Sequence, residues 1–173
     1  MDKKTLRKQI LEKRSALTDA RKKEAASKVI EKLCEDEHFL KADFVGLFYP
    51  ANGEMDLMEI ISRFPDKIFA LPKTVNDKVM YLQYDQFTQL KHASFGIYEP
   101  QFGFDITAKL EVILVPCLGI TKNFYRLGYG KGYFDKFFKN RLEVYKIGII
   151  YEDEVVDFEP ETYDIPMNDY ISG

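Results

Sequence analysis

Between Val115 and Phe138 the chain reads VPCLGITKNFYRLGYGKGYFDKFF, and Arg126 to Asp135 holds the groups that a polyphosphate needs. Gly128, Gly130 and Gly132 sit at every second position. Without a Cβ, such residues can adopt positive φ or turn their N–H groups toward a bound anion. Arg126 and Lys131 add positive charge, and Asp135 adds one carboxylate three residues after the last glycine. Donors, cations and a hard oxygen ligand this close together point to a phosphate chain and its metal ion. The loop is not a Walker A motif, because Gly132 follows Gly130-Lys131 where Ser or Thr is required. Nor is it a dinucleotide fingerprint, whose third glycine would fall at Tyr133. A tight strand-to-helix turn with solvated charges would use the same residue types. Against that stands the apolar spacing of Phe134, Phe137, Phe138 and Leu142, which predicts a helix beginning at the glycines. Unpaired N–H groups and the positive end of the helix dipole favour an anion there.

Two further stretches carry groups of interest. Lys3 to Leu17 has helical spacing, with Leu6, Ile10, Leu11 and Leu17 on one side and Lys3, Lys4, Arg7, Lys8, Lys13 and Arg14 mostly around the other. Lys3 and Arg7 are four apart, as are Lys4 and Lys8, so each pair projects from consecutive turns and its charges repel. Such a row is either a solvated face or the seat of an anionic partner. Glu54 and Asp56 follow the apolar run Phe44 to Tyr49, Pro50 and the turn Ala51-Asn52-Gly53, at the predicted start of a helix carrying Leu57, Ile60 and Ile61. Its place just beyond a strand end sets Glu54 apart from an ordinary dipole partner.

These groups need a scaffold, and the chain supplies one of ordinary size. Its 173 residues, 46% of them hydrophobic, read as one α/β domain spanning 1–173. The net charge of −3, from 25 basic and 28 acidic residues, gives no general field for nucleic acid. Cys34 and Cys117 lack CxxC spacing, which fits reduced thiols and a cytoplasmic protein. His38 and His92 belong to no zinc pattern. No apolar run is long enough to span a membrane.

Strands are predicted at Phe44–Tyr49, at Lys67–Leu71 with a stop at Pro72, at Val79–Tyr84, Glu111–Val115 and Val144–Tyr151, with a last short one near Asp169. Asn76-Asp77 makes a turn. Thr18 caps a second helix whose stripe is Val29, Ile30, Leu33 and Cys34. Residues Ala93 to Phe104, rich in Gly, Pro and aromatics, read as ordered loop. The alternation predicts a three-layer open, largely parallel sheet with helices on both faces. In such a sheet ligands bind beyond the strand carboxyl ends, which brings Tyr49 to Glu54 and Pro116 to Lys131 to one crevice.

Assembled in this order, the residues closely resemble the 5-formyltetrahydrofolate cyclo-ligase family, also called 5,10-methenyltetrahydrofolate synthetase. The resemblance is carried by Arg126-Leu127-Gly128-Tyr129-Gly130-Lys131-Gly132-Tyr133-Phe134-Asp135 after the strand Val112 to Pro116, by Lys3-Lys4-Thr5-Leu6-Arg7, by Glu54-Met55-Asp56, by Gly96 to Pro100 and by Tyr163-Asp164. It covers nearly the whole chain. Phe124 stands where many members have glycine, Phe134 where tyrosine is frequent, and Cys117 where a smaller residue is common.

The resemblance implies an ATP- and magnesium-dependent closure of 5-formyltetrahydrofolate to 5,10-methenyltetrahydrofolate by a monomer, without nucleic-acid or membrane partners. It implies ATP contacts at Lys3, Lys4, Thr5, Leu6 and Arg7 and along Arg126, Leu127, Gly128, Tyr129, Gly130, Lys131, Gly132, Tyr133 and Phe134. Arg126 and Lys131 are the implied catalytic cations. Folate contacts are implied at Arg7, Tyr49, Glu54, Tyr129, Gly130, Lys131, Gly132 and Tyr133, and Mg2+ ligands at Asp135 and Asp164. A regulatory nucleotide-binding module, or an enzyme acting on a phosphorylated sugar or thioester, would share the fold and the basic loop.

Overall fold

The computed structural model describes residues 1–173 apart from the side chain of Phe95. The chain opens with α1 (Lys3–Ser15), α2 (Asp19–Leu33) and the short α3 (Glu37–Lys41). Each begins at a side-chain cap: Asp2 Oδ1 accepts from Thr5 N at 2.7 Å, Thr18 Oγ1 from Arg21 N at 3.1 Å and Asp36 Oδ1 from Phe39 N at 2.9 Å. Caps of this kind contribute about 1 kcal/mol each. There follow β1 (Phe44–Gly46), α4 (Ile60–Arg63), β2 (Ile68–Val75), β3 (Lys78–Tyr84), β4 (Leu90–His92) and β5 (Tyr98–Pro100). The remainder comprises β6 (Val112–Pro116), β7 (Gly119–Ile120), β8 (Arg126–Leu127), α5 (Tyr133–Lys139), β9 (Tyr145–Ile150) and β10 (Asp169–Ser172).

The central sheet has six strands in the order β10-β9-β6-β1-β2-β3. All neighbours are parallel except β2 and β3, an antiparallel edge hairpin. Its turn residues Asn76 and Asp77 both take positive φ, 51° and 62°, as a two-residue hairpin turn demands. Every residue of β6 is buried, and their side chains divide between two layers. Val112 and Leu114 pack with Val29, Leu33 and Phe39, while Ile113 and Val115 pack with Phe137 and Phe138. The sheet is thus covered on both faces, as expected for a parallel arrangement. Each such aliphatic or aromatic side chain contributes roughly 1.5–3 kcal/mol on burial.

Several elements differ from the sequence reading. β2 runs through Pro72, which pairs with Tyr81 of β3. Leu47 N donates to Ala70 O at 2.8 Å, so the even-numbered residues of β2 face β1. Two residues on, Pro72 points beyond the end of β1, where the missing N–H forfeits no ladder bond. Residues 93–104 are not plain loop: β5 pairs with β4 in a small separate sheet. Between Glu54 and β2 only Ile60–Arg63 is α-helical, because Asn52 and Gly53 take positive φ and Glu54 bonds back to its own turn. Finally, α5 ends at Lys139, and Leu142 is 62% exposed instead of completing the apolar stripe.

Candidate active site

A cleft of about 620 Å³ opens beyond the carboxyl ends of β1 and β6. The chain leaves β1 toward β2 on one side and enters β6 on the other, so this is the point where the strand order reverses. Tyr49 and Glu54 after β1 form one part of its wall, and Pro116 with the loop Tyr129 to Phe134 forms another. The hairpin β4–β5 closes a third side with Tyr98 and Glu99. Tyr49 and Tyr98 meet there, ring centroids 5.6 Å apart.

Arg126 is fixed by three surfaces. Its Nη1 donates to Pro116 O at 3.0 Å, and its guanidinium lies 4.9 Å from the Phe134 ring centre. The third surface is Gly128, where a Cβ would stand 2.6 Å from Arg126 Nη2. That glycine is required for close approach, whereas Gly130 and Gly132 take positive φ of 98° and 71°. Gly132 caps α5 in the left-handed conformation, so the loop turns into the helix there, and Gly130, Lys131 and Gly132 all line the cleft. With seven residues, α5 adds only a modest dipole to the loop's own N–H groups.

From α1, Arg7 Nε donates to Gly128 O at 2.6 Å, and its guanidinium packs against Gly130. Lys3 Nζ pairs with Asp164 Oδ2 at 2.9 Å. Thus Lys3 and Arg7, one helical turn apart, both reach groups expected at the site. Lys4 and Thr5 are exposed, and Thr5 N is engaged by Asp2. Leu6 and Leu127 pack against each other's neighbours in a buried cluster with Ile10, Leu118 and Phe158. Their side chains seat α1 against the loop and leave any ligand contact to their backbones.

Glu54 bridges the two walls. Its Oε1 accepts from Ala51 N at 2.8 Å and its Oε2 from Tyr129 Oη at 3.0 Å. Burial pushes the carboxyl up to about 7, against the opposing pull of the Ala51 and Tyr129 hydrogen bonds and of the nearby Arg14 and Arg126 charges. The Tyr129 hydroxyl is itself raised, first by burial and then by the Glu54 charge, so it stays a donor.

Asp135 and Asp164 lie at the other end of the loop. Asp135 Oδ1 accepts from Ile165 N at 3.2 Å, which ties the first turn of α5 to the residue after Asp164. Asp164 Oδ2 also accepts from Glu161 N at 2.7 Å. Among the described residues no group of three His, Cys, Asp or Glu side chains could hold a metal ion by itself. Two carboxylates beside a basic, glycine-rich loop are an apt donor set for Mg2+, which takes few protein ligands and completes its shell with water and phosphate oxygens.

The family model for the 5-formyltetrahydrofolate cyclo-ligase family matches residues 1–172. This chain belongs to that family. It is 30% identical over 176 residues to the 5-formyltetrahydrofolate cyclo-ligase of Mycoplasma pneumoniae, covering 97% of this chain and 96% of that one. The Haemophilus influenzae cyclo-ligase is 24% identical, with 97% and 96% covered. Among solved structures, 5,10-methenyltetrahydrofolate synthetase of Aquifex aeolicus superposes with a TM-score of 0.87 at 31% identity, over 99% of this chain and 90% of that one. The synthetase from Mycoplasma pneumoniae gives 0.79 at 26% identity, over 99% and 98%.

Phe124, expected from the sequence to stand where many family members have glycine, has a visible backbone cost. Phe124 takes φ of 69°, a conformation natural to glycine, at the turn between β7 and β8. Its ring packs toward Tyr170, centroids 6.0 Å apart, and its carbonyl accepts from Met167 N at 2.8 Å. One buried neighbour of the site escaped the sequence reading altogether. Arg14, counted there with the solvent side of α1, is 2% exposed and forms a bidentate ion pair with Glu154, both bonds 2.8 Å. Its spacing of i+4 and i+8 from Ile10 and Leu6 was the available signal, masked by its charge. No helix among the described residues is long and apolar enough to cross a membrane.

Proposed function

We propose that this chain closes 5-formyltetrahydrofolate to 5,10-methenyltetrahydrofolate with conversion of ATP to ADP and phosphate. The observation that carries the reading is a single cleft with an anion cradle, Arg126 to Phe134, on one wall and the Glu54 carboxylate on the other. ATP places its phosphates on the loop N–H groups, with Lys3 and Arg7 approaching from α1. Glu54 accepts from the N–H donors of the pterin, and Tyr49, Tyr129 and Tyr133 supply ring faces for it.

Held this way, the formyl oxygen attacks the γ-phosphorus, a P–O bond forms and ADP leaves. N10 then attacks the activated formyl carbon and gives up its proton to solvent. Phosphate departs with the former formyl oxygen, leaving the methenyl bridge. The chemistry asks for alignment and charge neutralisation, with no protein nucleophile. Arg126, immobilised by Pro116 O and Phe134, and Lys131 on the cleft wall offset the charge of the moving phosphoryl group. Asp135 and Asp164 would hold Mg2+, which supplies further neutralisation of the phosphate oxygens. The protein acts as a cytoplasmic monomer in this reading. Lys131→Ala is expected to lower turnover by roughly 10²-fold at saturating ATP; near-normal turnover of a folded variant would remove Lys131 from the mechanism.

A further inference from the structure

The proposed reaction makes no direct use of the buried ion pair between α1 and the segment after β9. Besides its two bonds to Glu154, Arg14 donates from Nη2 to Cys117 O at 2.6 Å, and Glu154 Oε2 accepts from Tyr151 N at 2.9 Å. Arg14 Nη1 is buried and has no hydrogen-bond partner among the described residues. A small cavity of about 10 Å³ lies against it, lined by Arg14, Glu54, Met55, Cys117 and Tyr151 among others. That volume is about the size of one water molecule, and Arg14 and Glu54 both contribute to its lining.

The same arginine also carries the turn that holds Glu54. Gly53 sits on its stem, so closely that a Cβ there would stand 3.0 Å from Arg14 Cβ. Tyr151 Oη donates to Gly53 O at 2.9 Å, and Arg14 Cζ lies 5.2 Å from the Tyr151 ring centre.

We propose that Arg14, anchored by Glu154, is a positioning residue for folate binding: it seats the 51–54 turn and its charge favours the ionised form of Glu54. This rests on the reading of Glu54 as the pterin contact. The groups facing Glu54 are Arg14 from α1, Arg126 from β8, Tyr129 from the glycine loop and the Tyr151 hydroxyl after β9, with Ala51 N on its own turn. Lys131 lines the same cleft. Of these cations, Arg14 is buried and does not line the cleft, so its charge bears on the cleft through Glu54 and its turn. Removing its charge lifts the Glu54 carboxyl further above its raised position, so the ionised acceptor, and folate affinity with it, appears only at higher pH.

The test is a 5-formyltetrahydrofolate titration across pH for the double variant Arg14→Met/Glu154→Gln, which leaves neither charge buried alone. The midpoint of folate affinity is expected to rise by about one pH unit, weakening affinity at neutral pH by roughly 5–10-fold while sparing it at high pH and leaving ATP affinity unchanged. Arg14→Lys keeps the ion pair and so the fold, but lacks the second arm of the guanidinium; a smaller shift in the same direction is expected. Midpoints at the wild-type value in both variants would overturn the inference, since a purely structural ion pair would lower thermal stability without moving them. Glu54→Gln separates the two readings. A flat pH profile in Glu54→Gln with unmoved midpoints at Arg14 discards only the role of Arg14, whereas an unchanged profile in Glu54→Gln discards both.

Discussion

Tyr129 Oη donates to Glu54 Oε2 at 3.0 Å, a hydrogen bond between residues 75 positions apart that joins the glycine loop to the turn after β1. The contact places the loop's tyrosine and the carboxylate on facing walls of one cleft, within reach of one ligand. Glu54→Gln keeps the shape and the bond to Ala51 N but removes the charge. Folate affinity is expected to fall by about tenfold or more, in line with loss of a charge-assisted acceptor, while ATP affinity holds. Isothermal titration with each ligand separates the two; weakened ATP binding beside an intact folate titration would assign Glu54 elsewhere.

The same substitution has an opposite effect on stability. The Glu54 carboxyl stands at about 7 against an ordinary value of 4.5, so the folded protein binds the proton more tightly than the unfolded chain. Between those values stability from this group declines as pH rises. Glu54→Gln abolishes that loss. Its melting temperature relative to the native sequence is expected to climb from acid to neutral pH and level off above it; a constant difference across that range would show that burial does not hold the proton.

Gly128→Ala forces a Cβ to within 2.6 Å of Arg126 Nη2. The guanidinium must move from its place between Pro116 O and Phe134, and turnover is expected to drop by at least tenfold, as a catalytic donor displaced by about 1 Å does. ATP affinity should change far less. Steady-state kinetics decide it, and an unaltered turnover would mean that the position of Arg126 is immaterial.

Asp164 accepts from Lys3 Nζ at 2.9 Å, so Asp164→Asn disturbs an ion pair and a proposed metal ligand together. Titrating ATP with and without Mg2+ distinguishes them. A metal-ligand role predicts that affinity falls several-fold only when Mg2+ is present, and that more Mg2+ restores turnover. Equal weakening in both conditions would leave Asp164 as a partner of Lys3 alone.

Much of the scaffold was legible because local pattern and tertiary role agree there. The cap at Thr18, the helix start at the glycines and the apolar strand Val112 to Pro116 fall where the sequence pattern placed them. Legibility failed where a residue's environment comes from distant chain. Pro72 continues a strand because β1 ends beside it, and Leu142 is exposed because α5 stops short. Arg14 is buried because Glu154, 140 residues away, neutralises it. Among the residues that line the cleft, the glycine loop and Glu54 were singled out from sequence, but the 3.0 Å contact between Glu54 and Tyr129 depends on the crossover connections.

The central claim is that one cleft couples ATP to closure of the formyl group. The most direct measurement follows methenyl absorbance and ADP together in purified protein given 5-formyltetrahydrofolate, ATP and Mg2+. The expected result is formation of 5,10-methenyltetrahydrofolate and ADP in equal amounts, with neither formed when any one component is omitted. Binding of ATP by folded protein without methenyl product would contradict it and leave a nucleotide-binding module in its place.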